Sequence, residues 1–499
     1  MGVWAVSWLE SKIAVIGLGT TGRAVMDTLD RLGVRAVGFD LKAPAGLAAF
    51  ESGSQQFVIG SEDEQASALS DGFDLVVVSP GVAPHSPVFK AARNLGLPVW
   101  SEVELAWQIQ QYLGKDIAWL TVTGTNGKTT TVGLLGSILE SASQRVRVVG
   151  NVGTPIVSVV MDADVDVLAV ELSSFQLYST YSVEPVASVC LNVDADHLDW
   201  HGSVEEYAKA KARVYANTRV ACVYDATDPA VENMVMQAEV IEGARAIGYA
   251  LDVPAVSQVG LAQDESEVLI VDRAFVPKRH TQAAALATLD DVAHFAGPTP
   301  SAAIIKDTLA AIALARAYGA YAKKEIDSHA VSAGLRSFHP AGHRRQVIGE
   351  VADMIWIDDS KATNAHAAAA SLSGFAPGTV IWIAGGDAKG QDFHSLVKTV
   401  APALRGVVVI GADPTPITNA FEDVAPQIPR VVVDGHEDWM YSVVNEAVAL
   451  SRPGDTVVLA PAAASWDQFK SYAERGDVFR EAVARLDEAW QTPQELPGD

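Results

Sequence analysis

Two cysteines, Cys190 and Cys222, are all that the 499 residues contain. So few exclude a disulfide scaffold and a cysteine-rich zinc module, and they fit a reducing compartment. Positive charge is scarce as well, with 36 Lys and Arg against 61 Asp and Glu and a formal net charge of −25. A field of that sign argues against nucleic acid or an anionic membrane surface as a partner, and an anionic small ligand needs its own local cluster of cations or backbone donors. Long apolar runs are missing too, since no stretch approaches the roughly eighteen uncharged residues that span a bilayer. Met1 to Glu10 has no basic leader, and Glu10 and Lys12 interrupt its apolar character. The expectation is a cytoplasmic, monomeric chain without membrane segments.

With 49% hydrophobic and 19% charged residues, the chain can build ordinary globular cores. At roughly 150 residues per domain, its length allows about three of them. Short β-branched runs recur, each followed by Gly, Ser or Asp and then an Ala/Leu helical pattern: Ile13–Ile16, Ala36–Phe39, Leu75–Val78, Trp119–Val122, Val167–Val170, Ala187–Leu191, Ile355–Ile357, Val380–Ile383, Val407–Ile410 and Thr456–Leu459. Such alternation predicts βαβ units and mostly parallel sheets, an α/β protein. Breaks near Tyr112–Asp116 and Tyr318–Asp327 divide it into residues 1–114, 115–322 and 323–490, with 491–499 expected as a disordered tail. The stretch Val253–Pro300 has weak periodicity and no assigned fold.

Two glycine-rich loops follow predicted strands. The first, Gly17-Leu18-Gly19-Thr20-Thr21-Gly22, fits G-x-G-x-x-G, and Asp40 falls 18 residues after its last glycine. That pattern reads either as a dinucleotide site of an NAD-dependent oxidoreductase or as any tight strand-to-helix turn facing an anion. The second, Gly124-Thr125-Asn126-Gly127-Lys128-Thr129-Thr130, is an ATP- or GTP-type loop, although Val122 stands where the strict pattern has a further glycine. Its backbone N–H groups turn toward phosphate oxygens, Lys128 supplies charge for the β/γ-phosphates, and the Thr129 hydroxyl can bind Mg²⁺. Downstream, Glu171 ends a predicted strand, where a nucleotide-bound metal finds a carboxylate. Asp194, Asp196, His197 and Asp199 cluster at another strand end, as metal ligands or as helix caps. Lys209, Lys211 and Arg213 lie on a predicted helix, Val204–Tyr215, and the first and last read as a solvated face.

Taken in order, the loop at 124–130, Gly150-Asn151-Val152-Gly153, Glu171-Leu172-Ser173-Ser174-Phe175-Gln176, Asn192 with Asp196-His197, and Tyr207 with Lys211 resemble the Mur ligase family of ATP-dependent amide-forming enzymes. His343-Arg344, Asp359-Ser360-Lys361-Ala362-Thr363-Asn364, Gly385-Gly386-Asp387-Ala388-Lys389-Gly390 and Ala463-Ala464-Ser465-Trp466-Asp467-Gln468-Phe469 are similar to the branch that adds D-glutamate. The resemblance covers about residues 12 to 485 and implies three domains: an N-terminal Rossmann-like domain for UDP, a central P-loop ATPase, and a C-terminal Rossmann-like domain for the amino acid. It implies UDP-N-acetylmuramoyl-L-alanine, D-glutamate and ATP as substrates, joined through an acyl phosphate. A folylpolyglutamate-synthase-like ligase is the nearest alternative, since it shares the phosphate loop and glutamate as a substrate.

The same resemblance implies the site residues. Thr20, Thr21, Asp40, Ser79, Gly81, Asn151, Ser173 and His197 face the UDP substrate. Gly124, Thr125, Asn126, Gly127, Lys128, Thr129, Thr130, Asp307, Arg344 and Asp359 face ATP, with Arg344 reaching the phosphates as the domains close. Two Mg²⁺ ions are held through Thr129, Glu171, His197 and a carbamylated Lys211, and Lys128, His197, Lys211 and Arg344 form the catalytic set. Lys361, Thr363, Lys389, Ser465 and Tyr472 meet the D-glutamate carboxylates. This chain departs from the family pattern in having Leu41-Lys42 after Asp40, Asp307 in place of an Asn, Tyr472 in place of Phe, and Ala460-Pro461-Ala462 in place of Ser-Pro-Ala.

Overall fold

The run Ile13–Ile16 (β1) is apolar throughout because it is the central strand of a five-stranded parallel sheet covered on both faces. The computed structural model describes residues 8–42, 56–265, 267–296, 300–340, 342–433 and 438–491. Its first sheet adds β2 (Ala36–Asp40), β3 (Gln56–Ile59), β4 (Leu75–Val78) and β5 (Val99–Ser101) in the order β3-β2-β1-β4-β5. The order reverses beside β1, so the loops after β1 and β4 open a crevice at the carboxyl ends of the strands.

The second sheet has nine strands. Those from β6 (Ala118–Thr123) through β7 (Val146–Gly150), β8 (Val167–Glu171), β9 (Ala187–Cys190), β10 (Ala221–Asp225) and β11 (Arg245–Tyr249) to β12 (Gln258–Asp264) run parallel, and β13 (Glu267–Asp272) and β14 (Ala284–Thr288) add an antiparallel edge, in the order β14-β13-β12-β11-β10-β9-β6-β8-β7. Both strands of this edge lie in the stretch left without an assigned fold. Helices Lys128–Ser141 and Ala302–Ala322 pack side by side on the sheet, and the second approaches closely because Ala310, Ala311, Ala313, Ala315 and Ala317 are all buried. The first sheet is fastened to the second by carboxylates on helix Glu102–Tyr112. Glu102 accepts the Val157 N–H at 2.8 Å, and Glu104 accepts those of Tyr181 and Ser182 at 2.7 and 2.9 Å.

The chain parts into two compact units, Met1–His339 and Pro340–Asp499. Lys323–Asp327 is the short connection between helices Ala302–Ala322 and Ser328–Ser337. The next helix, Ser328–Ser337, lies on Lys128–Ser141: a Cβ on Gly334 would stand 2.5 Å from Ile138 Cα, and Ser137 Oγ donates to the Gly334 carbonyl at 2.7 Å.

In the second unit, β15 (Gln346–Val351), β16 (Met354–Asp358), β17 (Val380–Gly385), β18 (Leu404–Ile410), β19 (Arg430–Val432) and β20 (Thr456–Leu459) form a sheet ordered β15-β16-β20-β17-β18-β19, parallel except for β15. Trp382 is buried on one face and Trp356 on the other, with indole N–H groups donating to the carbonyls of Ala460 and Val351. Gln491, the first residue of the tail expected at 491–499, closes the last helix, Tyr472–Gln491, and residues 492–499 lie outside the described residues.

Candidate functional site

The phosphate loop is shaped by two glycines and braced from behind. Gly124 and Gly127 have φ of +154° and +85°, and Gly127 precedes helix Lys128–Ser141, whose first-turn N–H groups have no side-chain cap and can serve an anion. Asn192 clamps the loop by accepting the Asn126 N–H at 2.9 Å and donating to its carbonyl at 3.2 Å, while its own carbonyl accepts the Thr125 N–H at 3.0 Å. The Thr125 hydroxyl meets the Tyr207 hydroxyl at 3.0 Å. Asp307 stands against the loop from the buried Ala-rich helix, its Oδ1 2.3 Å from where a Cβ on Gly127 would be.

Lys128 folds back over the loop, donating to the carbonyls of Gly124 and Thr125 at 2.7 and 2.9 Å. Lys211 is 1% exposed; its Nζ donates to the Gly124 carbonyl at 2.7 Å and lies 4.6 Å from the centre of the Tyr207 ring. Burial, and secondarily the charge of Lys128, pull the Lys211 amine down to about 7. Glu171, at the end of β8, is equally buried: Oε1 accepts from the Asn151 amide at 2.9 Å, and Oε2 has no hydrogen-bond partner among the described residues. A buried carboxylate oxygen left unpaired beside a phosphate loop fits a cation. Among the described residues no three His, Cys, Asp or Glu side chains gather to hold a metal by themselves, so the donor set suits an ion that keeps water and phosphate oxygens, as Mg²⁺ does.

His197 has a left-handed φ of +53° at the start of the short helix Leu198–His201, and its ring meets Phe175 edge-on with centroids 4.7 Å apart. Ser173 forms a capping box with Gln176, which engages its hydroxyl at the head of helix Ser174–Tyr178. In the first sheet, Ser79 Oγ donates to the Gly17 carbonyl at 2.8 Å, and the Asp40 carboxylate accepts the N–H groups of Leu18 at 2.6 Å and Lys42 at 3.3 Å. These contacts hold the G-x-G-x-x-G turn. Thr20 starts the following helix, with the half-buried Thr21 next in its first turn, and borders an open cleft of about 690 Å³ that Arg23, Asp27, Arg31 and Pro155 also line, while Gly81 lies on the loop after β4.

In the second unit, four segments converge at the carboxyl ends of β16, β17 and β20. Asp387 and Ala464 exchange backbone hydrogen bonds of 2.9 Å, and the Ala462 N–H donates to the Ala362 carbonyl at 2.9 Å. Arg475, 1% exposed, ties them together: it donates to Ser360 Oγ at 2.9 Å, to the Ser360 carbonyl at 2.8 Å and to the Ala463 carbonyl at 3.2 Å. Burial lowers this guanidinium to about 10. Above this scaffold the Lys361 ammonium lies 3.8 Å from the centre of the Tyr472 ring, and that of Lys389 lies 5.6 Å from the Trp466 ring. Thr363 N–H donates to the Lys361 carbonyl at 2.8 Å. Ser465 Oγ is buried without a hydrogen-bond partner among the described residues. Asp359 is buried near Arg344 and Arg345; burial raises its carboxyl above the usual range against the pull of those charges.

Profiles of known families match three stretches of the chain: a Mur ligase MurD-like N-terminal domain at residues 11–101, a Mur ligase middle domain at 122–285, and a Mur ligase glutamate ligase domain at 343–463. The chain is 44% identical over 481 residues to the UDP-N-acetylmuramoylalanine--D-glutamate ligase of Streptomyces coelicolor, covering 95% of this chain and 98% of that one. It belongs to the Mur ligase family.

A second relative under the same ligase name, from Mycolicibacterium smegmatis, is 40% identical over 95% of this chain and 96% of its own. The Mur ligase fold is seen in solved structures as well. The MurF ligase of Thermotoga maritima in complex with ADP superposes with a TM-score of 0.56 at 17% identity, over 91% of this chain and 95% of that one. Folylpolyglutamate synthase of Mycobacterium tuberculosis has a TM-score of 0.52 at 14% identity, over 79% of this chain and 96% of that one.

For a Mur ligase of this kind, the structure brings Lys128, Lys211 and the loop at 124–130 together, and it brings the Lys361, Lys389 and Ser465 segments together. Arg344 and Asp359 belong to the second unit. Asn151, expected at the substrate, also orients Glu171 through its amide, and Ser173 and Asp40 are engaged in local backbone geometry. Asn192, Tyr207, Ser360 and Arg475 escaped the sequence reading as site residues. Asn192, Tyr207 and Ser360 lie inside the quoted motifs, a signal that could have found them, whereas Arg475 has none.

Proposed function

We propose that the chain forms an amide bond between UDP-N-acetylmuramoyl-L-alanine and D-glutamate at the expense of ATP, through an acyl phosphate, in cytoplasmic peptidoglycan precursor synthesis and as a monomer. The observation that carries the amino-acid half is the buried Ser465 hydroxyl, without a hydrogen-bond partner among the described residues, on segments that also carry two lysines and are locked by Arg475. A dicarboxylate needs cations and hydroxyl donors of this kind, in a chain whose overall charge opposes it. The folate-type alternative shares the fold but is not favoured, because relatives named for D-glutamate ligation match nearly the whole chain.

A carboxylate and an ammonium do not condense in water, so the L-alanyl carboxylate first attacks the γ-phosphorus of ATP. The bond to the ADP oxygen breaks, and the acyl phosphate forms. The neutral amine of D-glutamate then attacks the acyl carbon, phosphate leaves, and the amine proton is released. Little covalent chemistry falls to the protein, which neutralises and positions phosphoryl oxygens. In this reading Lys128 leaves its own loop carbonyls for the phosphates, Arg344 adds charge to them, and Gly127 and Thr130 present N–H groups. Thr129 and Glu171 would hold Mg²⁺, with His197 and a carbamylated Lys211 supporting a second ion; bound there, the metal supplies charge neutralisation on the phosphoryl oxygens. A Lys211 amine near 7 and buried beside Glu171 suits carbamylation, since the neutral amine attacks CO₂, loses a proton and becomes an anion. Lys361, Thr363, Lys389 and Ser465 receive the D-glutamate carboxylates, with Tyr472 as an aromatic wall. Thr20, Thr21, Asp40, Ser79, Gly81, Asn151 and Ser173 are assigned to the UDP substrate.

The test is phosphate release by the full chain with ATP and Mg²⁺. Turnover is expected only when UDP-N-acetylmuramoyl-L-alanine and D-glutamate are both present. Release indifferent to either substrate, or turnover with a folate in place of the UDP substrate, would overturn the reading.

A further inference from the structure

Trp466 is 77% exposed, although it follows a residue that is 1% exposed. Leaving so large an apolar surface in water is unfavourable, and nothing in the packing requires it. Its backbone is fixed: Phe469 N–H donates to the Ser465 carbonyl at 2.8 Å, and the Asp467 carboxylate accepts the Ala412 N–H at 2.9 Å. The indole is thus presented from a rigid turn, and the group it faces is the Lys389 ammonium, 5.6 Å from the ring centre. Lys389 is itself held in an uncommon backbone state, with φ of +49° and its N–H donating to Asp387 Oδ1 at 3.0 Å. Tyr472 carries Lys361 in the same manner, at 3.8 Å. Each lysine of the pair therefore rests on an aromatic face, one half-buried and one exposed.

We propose that Trp466 is a positioning residue for the acidic amino-acid substrate: its ring face holds the Lys389 ammonium at the carboxyl end of the third sheet, ready for a substrate carboxylate. A lysine side chain has four rotatable carbons and a strongly hydrated head, so an exposed Lys389 otherwise samples many rotamers, and each substrate encounter has to order it again. A cation–π contact at an exposed site offsets part of that ordering. The inference rests on the assignment of Lys389 to D-glutamate.

Steady-state kinetics on the full chain test it. Because Trp466 is exposed, its replacement leaves the fold intact. Trp466→Ala is expected to raise the KM for D-glutamate about two- to fivefold, the size of an exposed cation–π contact, with kcat and the KM values for ATP and the UDP substrate unchanged. Trp466→Phe retains a ring face and is expected to recover most of the loss, whereas Trp466→Leu, apolar but without a π face, should match alanine. In a Lys389→Met background, Trp466→Ala should add nothing. Recovery by leucine, an unchanged KM in the alanine variant, or an equal effect in the Lys389→Met background would overturn the proposal. An unsubstituted chain that consumes no D-glutamate would overturn the ligase reading itself, a result distinguishable from all three.

Discussion

Lys128 and Lys211 share one oxygen, both ammonium nitrogens lying 2.7 Å from the carbonyl of Gly124. Burial of Lys211, and secondarily the charge of Lys128 beside it, disfavour its protonated form. Lys211 titrates near 7 in the folded chain against an ordinary value of 10.5. Above pH 7 the unfolded chain therefore binds the additional proton, and this group adds stability as pH rises toward about 10.

Lys211→Ala is expected to reduce ligation by about 10- to 100-fold, the scale of lost metal-site support. Acetate should restore part of the activity by placing a carboxylate in the vacated space. Full activity in the unsupplemented variant would reject the assignment, and initial rates with and without acetate decide it.

Ser465→Ala separates binding from folding. The hydroxyl is buried without a partner among the described residues, so its loss costs the fold almost nothing and can even stabilise it. A hydrogen bond to a substrate carboxylate, in contrast, is worth about 1.5–3 kcal/mol. The KM for D-glutamate should accordingly rise by roughly one to two orders of magnitude while Tm holds or increases. An unchanged KM would remove Ser465 from the site.

Much of this arrangement was legible in the sequence because backbone geometry restricts residue choice. Gly124 and Gly127 sit at positive φ, and Lys128 and Thr129 follow at a helix start, so the spacing itself encodes the loop. Arg475 was not legible. It lies in Glu474-Arg475-Gly476-Asp477 at the start of a helix, a composition that reads as solvated, and only the convergence of segments from residues 360 and 463 buries it. The antiparallel edge was obscure for a related reason. In Gln258–Asp264 only two positions are buried, so the strand lacks the continuous apolar run that marks β6 or β17.

Glu102 gives a pH dependence of stability. It is buried between the two sheets of the first unit, and desolvation raises its carboxyl from 4.5 to about 7, outweighing the hydrogen bonds from Val157 and Ile156 that favour the anion. Between those values the folded chain holds a proton that the unfolded chain has released, so this group withdraws stability as pH rises from about 4.5 to 7, by up to about 3 kcal/mol. Glu102→Gln retains an acceptor for the Val157 N–H and carries no charge. Its stability relative to the unsubstituted chain should increase between pH 5 and pH 8, measured as the difference in urea midpoints. A difference constant with pH would mean that Glu102 does not titrate in this range.

Gly476→Ala reverses a general expectation. Replacing a glycine inside a helix with alanine ordinarily stabilises by about 1 kcal/mol. Here the added Cβ would lie 2.0 Å from Nδ1 of His343, the atom that meets Asp358 Oδ2 at 2.7 Å. The imidazole is 8% exposed and has little room to withdraw, so the pair with Asp358 must break or the helix must shift. Overpacking of this kind costs about 1–3 kcal/mol, enough to outweigh the helical gain. Asp358 Oδ1 also accepts the Ser360 N–H at 3.0 Å, so the disturbance reaches the segment that carries Lys361 and Thr363. Calorimetry should show a lower Tm, accompanied by a raised KM for D-glutamate; a higher Tm would mean that the ring moves aside without cost and that the His343–Asp358 pair does not set the position of that segment.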